Sequence, residues 1–269
     1  MGLPEKVQTI TADYLAAIDE VAPGLVEGLY LVGSLALDDY RPGQSDIDFV
    51  AVTAGRLVGD TIVAVRRVHR ELARRHRVDF DGPYVTWADL ASDPRKSGPG
   101  VHVLGRGRVT GSTMRERHPV TWHSLAQSGI VVRGPVIDDI GVWTDPTGLA
   151  DSVRENVDTY WRGWHRVGSR SFSRRGLLLL TDGGPAWCVL GVSRLHYTLT
   201  TKRIASKGAA GVYAREVFSS RWHRIVDESL RLHRQEGGPS RYGARRARRR
   251  DVLDFLDHVI KDAGQLPRG

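Results

Sequence analysis

The residue types that could do chemistry in this chain gather in one short stretch: Leu31-Val32-Gly33-Ser34, a ten-residue spacer, then Ser45-Asp46-Ile47-Asp48-Phe49-Val50. In an extended strand, side chains two apart leave the same face, so Asp46 and Asp48 would share one site while Ile47 and Phe49 turn toward a core. Two carboxylates that close repel each other unless a cation neutralises them. Hard oxygen ligands on a rigid strand suit magnesium bound jointly with substrate phosphates. Gly33 would let the backbone approach a phosphate with no Cβ in the way. Ser34, with the N–H groups of a following helix start, would hydrogen-bond the phosphate oxygens. With Ser45 counted among the contacting residues, the stretch predicts a phosphate cradle facing a metal site.

A third acid is expected on a neighbouring strand, and Val78-Asp79-Phe80-Asp81-Gly82 offers two. Asp81 is the choice: it is read as ending its strand before Gly82-Pro83, where its side chain could complete the metal site and act as general base toward an attacking hydroxyl. Asp79 shares the strand face by the same alternation. A lone Gly-Ser or Asp-x-Asp is common in turns and solvated strands. A strand, Gly-Ser, a spacer, Ser-Asp-x-Asp on a second strand and an acid before glycine on a third form a much more specific set.

The elements that must position these residues can be read outward from them. Residues 4–21 space Val7, Ile10, Tyr14, Leu15 and Ile18 helically behind Pro4. Residues 25–32 and 47–52 read as two strands that pair, residues 56–76 as an amphipathic helix, and 78–81 as a third strand. Residues 121–127 read as a short helix and 130–132 as an extended piece. From residue 146 strand signals vanish, and helical periodicity runs through 149–167, 185–204, 206–217, 219–235 and 244–263. The expected fold is α+β, a mixed sheet with flanking helices over residues 1–145, followed by an all-α helical bundle over 146–269.

Composition narrows the class. The chain has 269 residues and one cysteine, Cys188, so no disulfide framework can form; this suits a reducing, cytoplasmic setting. No apolar run approaches the roughly 20 residues that span a bilayer, so no membrane association is expected. The net charge of +8 is unevenly spread: residues 1–145 hold 16 Lys+Arg against 19 Asp+Glu, and residues 146–269 hold 23 against 12. An acidic half would gather metal ions or a cationic substrate, and a basic half would hold a polyphosphate. Arg245 to Arg250, five arginines around Ala247, reads first as the solvated start of an amphipathic helix. Arginines there oppose the helix macrodipole, which hints at an anionic partner.

The acidic motif resembles the nucleotidyltransferase superfamily, whose signature is Gly-Ser, a spacer and Asp-x-Asp with a third carboxylate on a later strand. Asp46, Asp48 and Asp81 fall on those positions. Two further stretches, 121–130 with Arg133-Gly134, and 188–198 running through 203–207, resemble the bacterial spectinomycin/streptomycin adenylyltransferases. That resemblance covers most of residues 25–235. It implies that the first domain carries catalysis and about two magnesium ions held by Asp46, Asp48 and Asp81, and that the helical domain closes over ATP. It matches Arg194 and Lys207 to the family's nucleotide contacts, with His233 offered for an aromatic contact. Read from the residues alone, Arg194 and Lys207 are two cations in a basic half. Lys207, at a helix start after Ser206, is disfavoured by the macrodipole unless an anion is near.

The implied reaction is transfer of AMP from ATP to a hydroxyl of a small, cationic, aminoglycoside-type antibiotic, releasing pyrophosphate, by a monomer. Family members that accept both spectinomycin and streptomycin carry a tryptophan after the third acid and an aspartate before the helix of the Arg194 equivalent. Here those positions fall near Gly105 to Gly107 and near Gly184, with Asp182 and Trp187 as nearby substitutes. Spectinomycin is therefore the expected preference. The rival readings are a nucleotidyltransferase acting on a protein or nucleic-acid hydroxyl, and a non-catalytic nucleotide-binding module. The sequence lacks an RNA-binding module, and an intact acidic triad is more than nucleotide binding alone requires.

Overall fold

The computed structural model describes residues 2–111, 118–170 and 172–267. The chain divides into two compact units, residues 1–145 and 146–269.

In the first unit α1 (Glu5–Val21) leads into β1 (Gly28–Leu31), the single turn α2 (Gly33–Ala36), β2 (Ile47–Thr53), α3 (Asp60–His76), β3 (Phe80–Thr86) and the turn α4 (Trp87–Leu90). A hairpin of β4 (Val101–Leu104) and β5 (Arg108–Gly111) follows, then α5 (Pro119–Ser128) and β6 (Ile130–Arg133). The six strands form one mixed sheet in the order β5-β4-β3-β2-β1-β6, in which only β2 and β3 run parallel. Alternation along β2 divides two cores. Ile47, Phe49 and Ala51 face α1 and α3, whose Val7, Ile10, Tyr14, Ile18, Val65, Val68 and Leu72 complete that layer. Val50 and Val52 pack with Tyr30, Val32, Val85, Leu90 and α5's Trp122 and Leu125 on the other side. Burying each large apolar side chain contributes about 1.5–3 kcal/mol, and the two layers clamp β2 from both faces.

Three boundaries differ from the sequence expectation. β1 is shorter than the apolar run 25–32, and α3 starts at Asp60 because Gly59, at φ +50°, sets a turn just before it. More consequentially, β3 does not end at Asp81. It begins at Phe80 and continues through Gly82-Pro83 to Thr86. The pairing of β3 with β2 lapses opposite Gly82-Pro83 and resumes at Tyr84. There a Cβ on residue 82 would stand 2.0 Å from the Phe49 carbonyl oxygen, so only glycine fits. A local irregularity that the sequence suggests as a strand end is a bend within a longer strand.

The α1/α3 layer contains a buried polar chain. The Tyr14 hydroxyl lies 2.5 Å from that of Tyr84, which lies 2.8 Å from Nε2 of His69. His69 stacks on Phe49 at 5.5 Å. Burial holds the imidazole neutral, with its pKa pushed down to about 3.

The second unit comprises α6 (Pro146–Asn156), a π-helical turn (Val157–Trp161), α7 (Arg162–Gly168), α8 (Arg174–Leu178), α9 (Gly183–Thr201), α10 (Lys207–Val217), α11 (His223–His233) and α12 (Arg245–Gln265). α9 is apolar nearly all round, burying Cys188, Val189, Leu190 and Val192, and α10, α11 and α12 pack against it. The arginine run 245–250 is not simply a solvated helix start. Arg248 is 2% exposed, donates to Asp182 at 3.1 Å, and lies 3.4 Å from the fully buried Glu228. Burial alone would raise the Glu228 pKa, but hydrogen bonds from Arg231, the Arg241 N–H and Ser240 hold its carboxyl down at about 2. Arg249 donates to the carbonyls of Gly168 and Ser169. Within the run, Arg248 and Arg249 therefore tie α12 to its own unit.

His69 makes stability depend on pH. Its folded pKa lies below its unfolded value of 6.5, so the unfolded chain binds the proton first. The stability contributed by the neutral ring is complete above pH 6.5 and is lost as pH falls toward 3, at up to about 1.4 kcal/mol per pH unit. Urea unfolding at pH 7 and pH 5 should show this loss in the wild type and a much smaller one in His69→Phe; equal losses in both would assign the effect elsewhere.

Candidate active site

The parallel pair β2/β3 brings two of the expected acids side by side. Their register sets Ile47 opposite Phe80 and Asp48 opposite Asp81. Phe80 belongs to the α1/α3 layer, so by strand alternation Asp48 and Asp81 leave the sheet on the opposite face. Both are partly exposed. Asp46 lies just before the strand begins and is exposed, and the Ile47 N–H that follows it donates to the Asp79 carbonyl at 2.9 Å.

Gly33 fixes the place of the Asp48 carboxylate. The Val32 N–H donates to the Asp48 carbonyl at 2.9 Å, carrying β1 directly into α2 beside β2. Gly33 stands at φ +64°, and a Cβ on it would come within 2.0 Å of Asp48 Oδ2. The carboxylate thus lies against bare backbone, for which glycine is needed on both steric and conformational grounds. Ser34 is the second residue of α2, and its carbonyl accepts from Asp39 N–H at 2.9 Å. Ser45 closes the spacer: its Oγ accepts from the Arg41 N–H at 3.1 Å, and its own N–H returns to the Arg41 carbonyl at 2.9 Å.

Asp79 is placed differently from Asp81. Its Oδ1 accepts from the Arg106 N–H at 2.6 Å, so this carboxylate fastens the tip of the β4–β5 hairpin. The sequence expectation lacks that hairpin; Gly105-Arg106-Gly107, a three-residue turn between the paired Leu104 and Arg108, is the signal that marks it.

The expected metal ligands are not drawn together as a cage. Among the described residues, no group of three or more His, Cys, Asp or Glu side chains has metal-binding spacing. Asp46, Asp48 and Asp81 lie along one end of the β2/β3 pair. The donor set still fits magnesium, which uses one or two carboxylates and takes its remaining ligands from phosphate and water.

In the second unit, Arg194 of α9 donates from Nε to the Ala205 carbonyl at 2.9 Å. This ties Arg194 to the loop that delivers Ser206 and Lys207, where the Ser206 hydroxyl caps α10 by accepting from Ala209 N–H at 3.1 Å. Lys207 opens that helix, half-buried. The structure thus brings Arg194 close to the segment that carries Lys207. His233 ends α11. His123, His196 and Trp122 are all buried.

A six-stranded mixed sheet with Gly-Ser beside an in-register Asp pair is the architecture of a nucleotidyl-transferring domain, and comparison with known proteins agrees. Residues 15–80 match the nucleotidyltransferase domain family, and residues 175–261 match the aminoglycoside adenylyltransferase C-terminal domain family. The chain is an adenylyltransferase of the aminoglycoside adenylyltransferase family, within the nucleotidyltransferase superfamily. Among solved structures it is similar to spectinomycin adenyltransferase AAD(9) from Enterococcus faecialis, crystallised with ATP and spectinomycin, at 9% identity and a TM-score of 0.64, over 96% of this chain and 99% of that one. No curated protein matches the sequence. No helix among the described residues is long and apolar enough to cross a membrane.

Gly33→Ala should displace the Asp48 carboxylate and strain the turn into α2. The expected result is a loss of turnover of at least about 10²-fold, the scale of an angstrom's misplacement at a reacting centre, while the melting temperature falls by only a few degrees. Turnover within threefold of wild type would show that the close Gly33–Asp48 contact does not matter.

Proposed function

We propose that the enzyme transfers AMP from ATP to a hydroxyl of an aminoglycoside-type antibiotic, with magnesium, releasing pyrophosphate. The observation that carries this reading is the in-register pairing of Asp48 with Asp81 against the bare backbone of Gly33. Asp46, Asp48 and Asp81 would hold the metal, with Asp81 also serving as the base. Bound there with ATP, magnesium would neutralise charge on the phosphates and on the leaving pyrophosphate. Gly33, Ser34 and Ser45 line the approach to the α-phosphorus. Asp81 takes the proton from the attacking hydroxyl. In the helical domain Arg194 and Lys207 supply positive charge for the phosphates, and His233 is the candidate for a ring contact with the nucleotide. The ATP and spectinomycin bound by AAD(9) support this assignment of substrates.

The surroundings of Asp182 favour spectinomycin as acceptor. The Asp182 carboxylate is engaged by Arg248, and Trp187 packs among Tyr160, Trp161 and Trp164. Arg248 already neutralises the Asp182 carboxylate, so a guanidinium-bearing ligand such as streptomycin would gain less there than the roughly 1.5–3 kcal/mol of a full charge-assisted hydrogen bond. Spectinomycin, compact and less charged, depends less on it.

Incubating the protein with ATP, magnesium and a panel of aminoglycosides should give pyrophosphate and an acceptor heavier by one AMP in mass spectrometry. No release across the panel would direct attention to protein or nucleic-acid hydroxyls. In that assay Asp48→Asn should abolish turnover, whereas Asp81→Asn should cost about 10²- to 10⁴-fold with ATP still binding; a more damaging Asp79→Asn would mean that the base is the other acid. Between drugs, kcat/KM for spectinomycin should exceed that for streptomycin by at least about tenfold, the factor that ~1.4 kcal/mol represents. Equal values would show that Asp182 or Trp187 serves streptomycin after all.

A further inference from the structure

Where β2 and β3 begin, the first unit carries a cavity of about 730 Å³, large enough for a small ligand. Its walls come from separate parts of the chain: Lys6 from α1, Arg70, Arg74 and Arg77 from the end of α3, and Arg106 from the tip of the β4–β5 hairpin. Asp46 and Asp79 are the acids in the lining, so five cations face two carboxylates. One of those acids is already committed, since Asp79 accepts from the backbone of Arg106. None of the five is assigned a part in holding ATP.

Two features set these cations apart from ordinary solvated arginines. The first is pairing. On the same helix Arg67 meets Glu71, and Arg75 and His76 meet Asp13. Among the described residues, no ion pair is found for Lys6, Arg70, Arg74, Arg77 or Arg106. The helix dipole favours cations at the end of α3, but it disfavours Lys6 in the first turn of α1 and has no bearing on Arg106. The second feature is backbone. Arg77 stands at φ +52° and Arg106 at φ +61°, in the left-handed region where glycine would be unstrained. Both positions carry an arginine instead, and both arginines line the same cavity.

We propose that this cavity is a polyphosphate site that takes up inorganic pyrophosphate, the product of adenylyl transfer. Asp46 lines the cavity at the start of β2, whereas Asp48 and Asp81 leave the sheet on the face away from α1 and α3 and are not part of the lining. The ligand chemistry follows from the lining: a compact, multiply charged anion gains charge-assisted hydrogen bonds from several guanidinium groups at once. The proposal rests on the adenylyl-transfer reading for the source of its ligand, whereas binding itself does not.

The test uses the full chain and a double variant, Arg74→Ala with Arg77→Gly, which removes two exposed cations and relieves the left-handed strain; circular dichroism establishes that it folds. Calorimetric titration with sodium pyrophosphate, without magnesium, should show one site in the wild type, weakened at least tenfold in the double variant and unchanged in Lys207→Ala. In turnover, the double variant should need at least tenfold more pyrophosphate for product inhibition, with KM for ATP within twofold of wild type. Pyrophosphate affinity that survives in the double variant, or that is lost in Lys207→Ala, would overturn the proposal. Magnesium-free ATP binding the cavity as tightly as pyrophosphate, with the same sensitivity to Arg74 and Arg77, would overturn the leaving-group assignment in favour of a second nucleotide. A wild type that binds pyrophosphate here but modifies no acceptor would sink the functional reading and leave the cavity standing.

Discussion

Holding two carboxylates level on adjacent parallel strands is the constraint on which the first unit is organised. Asp48 and Asp81 face each other because β2 and β3 are the one parallel pair in an otherwise antiparallel sheet. Parallel neighbours cannot be joined by a tight turn; they need a crossover, and α3 supplies it. The repulsion between the two acids is unfavourable by itself, so the rest of the unit must hold the strands in place. It does so from both sides, with the Phe49, Phe80 and Tyr84 layer beneath α1 and α3, and the Val50, Val52 and Val85 layer against α5. Gly82 lets β3 approach the Phe49 carbonyl, and Gly33 lets the Asp48 carboxylate rest on backbone. These two glycines serve one end, since each removes a side chain that would push the acids out of register.

The same layer shows how a polar group can be tolerated under a site of this kind. His69, Tyr84 and Tyr14 form a hydrogen-bonded chain inside an aromatic cluster, with the imidazole kept neutral by burial. These hydrogen bonds help fix one arrangement of the helices against the sheet, while His69 Nδ1 is buried with no hydrogen-bond partner among the described residues. In the second unit Glu228 has an equivalent part, holding Arg231, Arg248, the Ser240 hydroxyl and the Arg241 N–H around one carboxylate.

Much of this was legible in the sequence, and what was not has physical causes. Asp46-x-Asp48 after Gly33-Ser34 is a local pattern, and the helical periodicities of both units are local too; each survives folding because short-range spacing decides which face a side chain takes. The course of β3 differs from the sequence expectation because Gly82-Pro83 is a breaker signal, and only the partner strand reveals that the chain bends and carries on. The β4–β5 hairpin escaped notice because its strands are four residues each. Arg248 could not be told from its neighbours in a run of five arginines, since its burial depends on Glu228 and Asp182, distant in sequence. The cationic cavity was invisible for the same reason, being assembled from residues 6, 70–77 and 106.

The central claim is that Asp48 and its neighbours bind divalent metal together with the phosphates of ATP. Manganese titration followed by electron paramagnetic resonance, in the presence of a non-hydrolysable ATP analogue, tests it without relying on the acceptor. The account predicts about two tightly bound ions per chain in the wild type only when nucleotide is present, and loss of tight binding in Asp48→Asn with the fold intact. Manganese binding in Asp48→Asn equal to that of the wild type would contradict it.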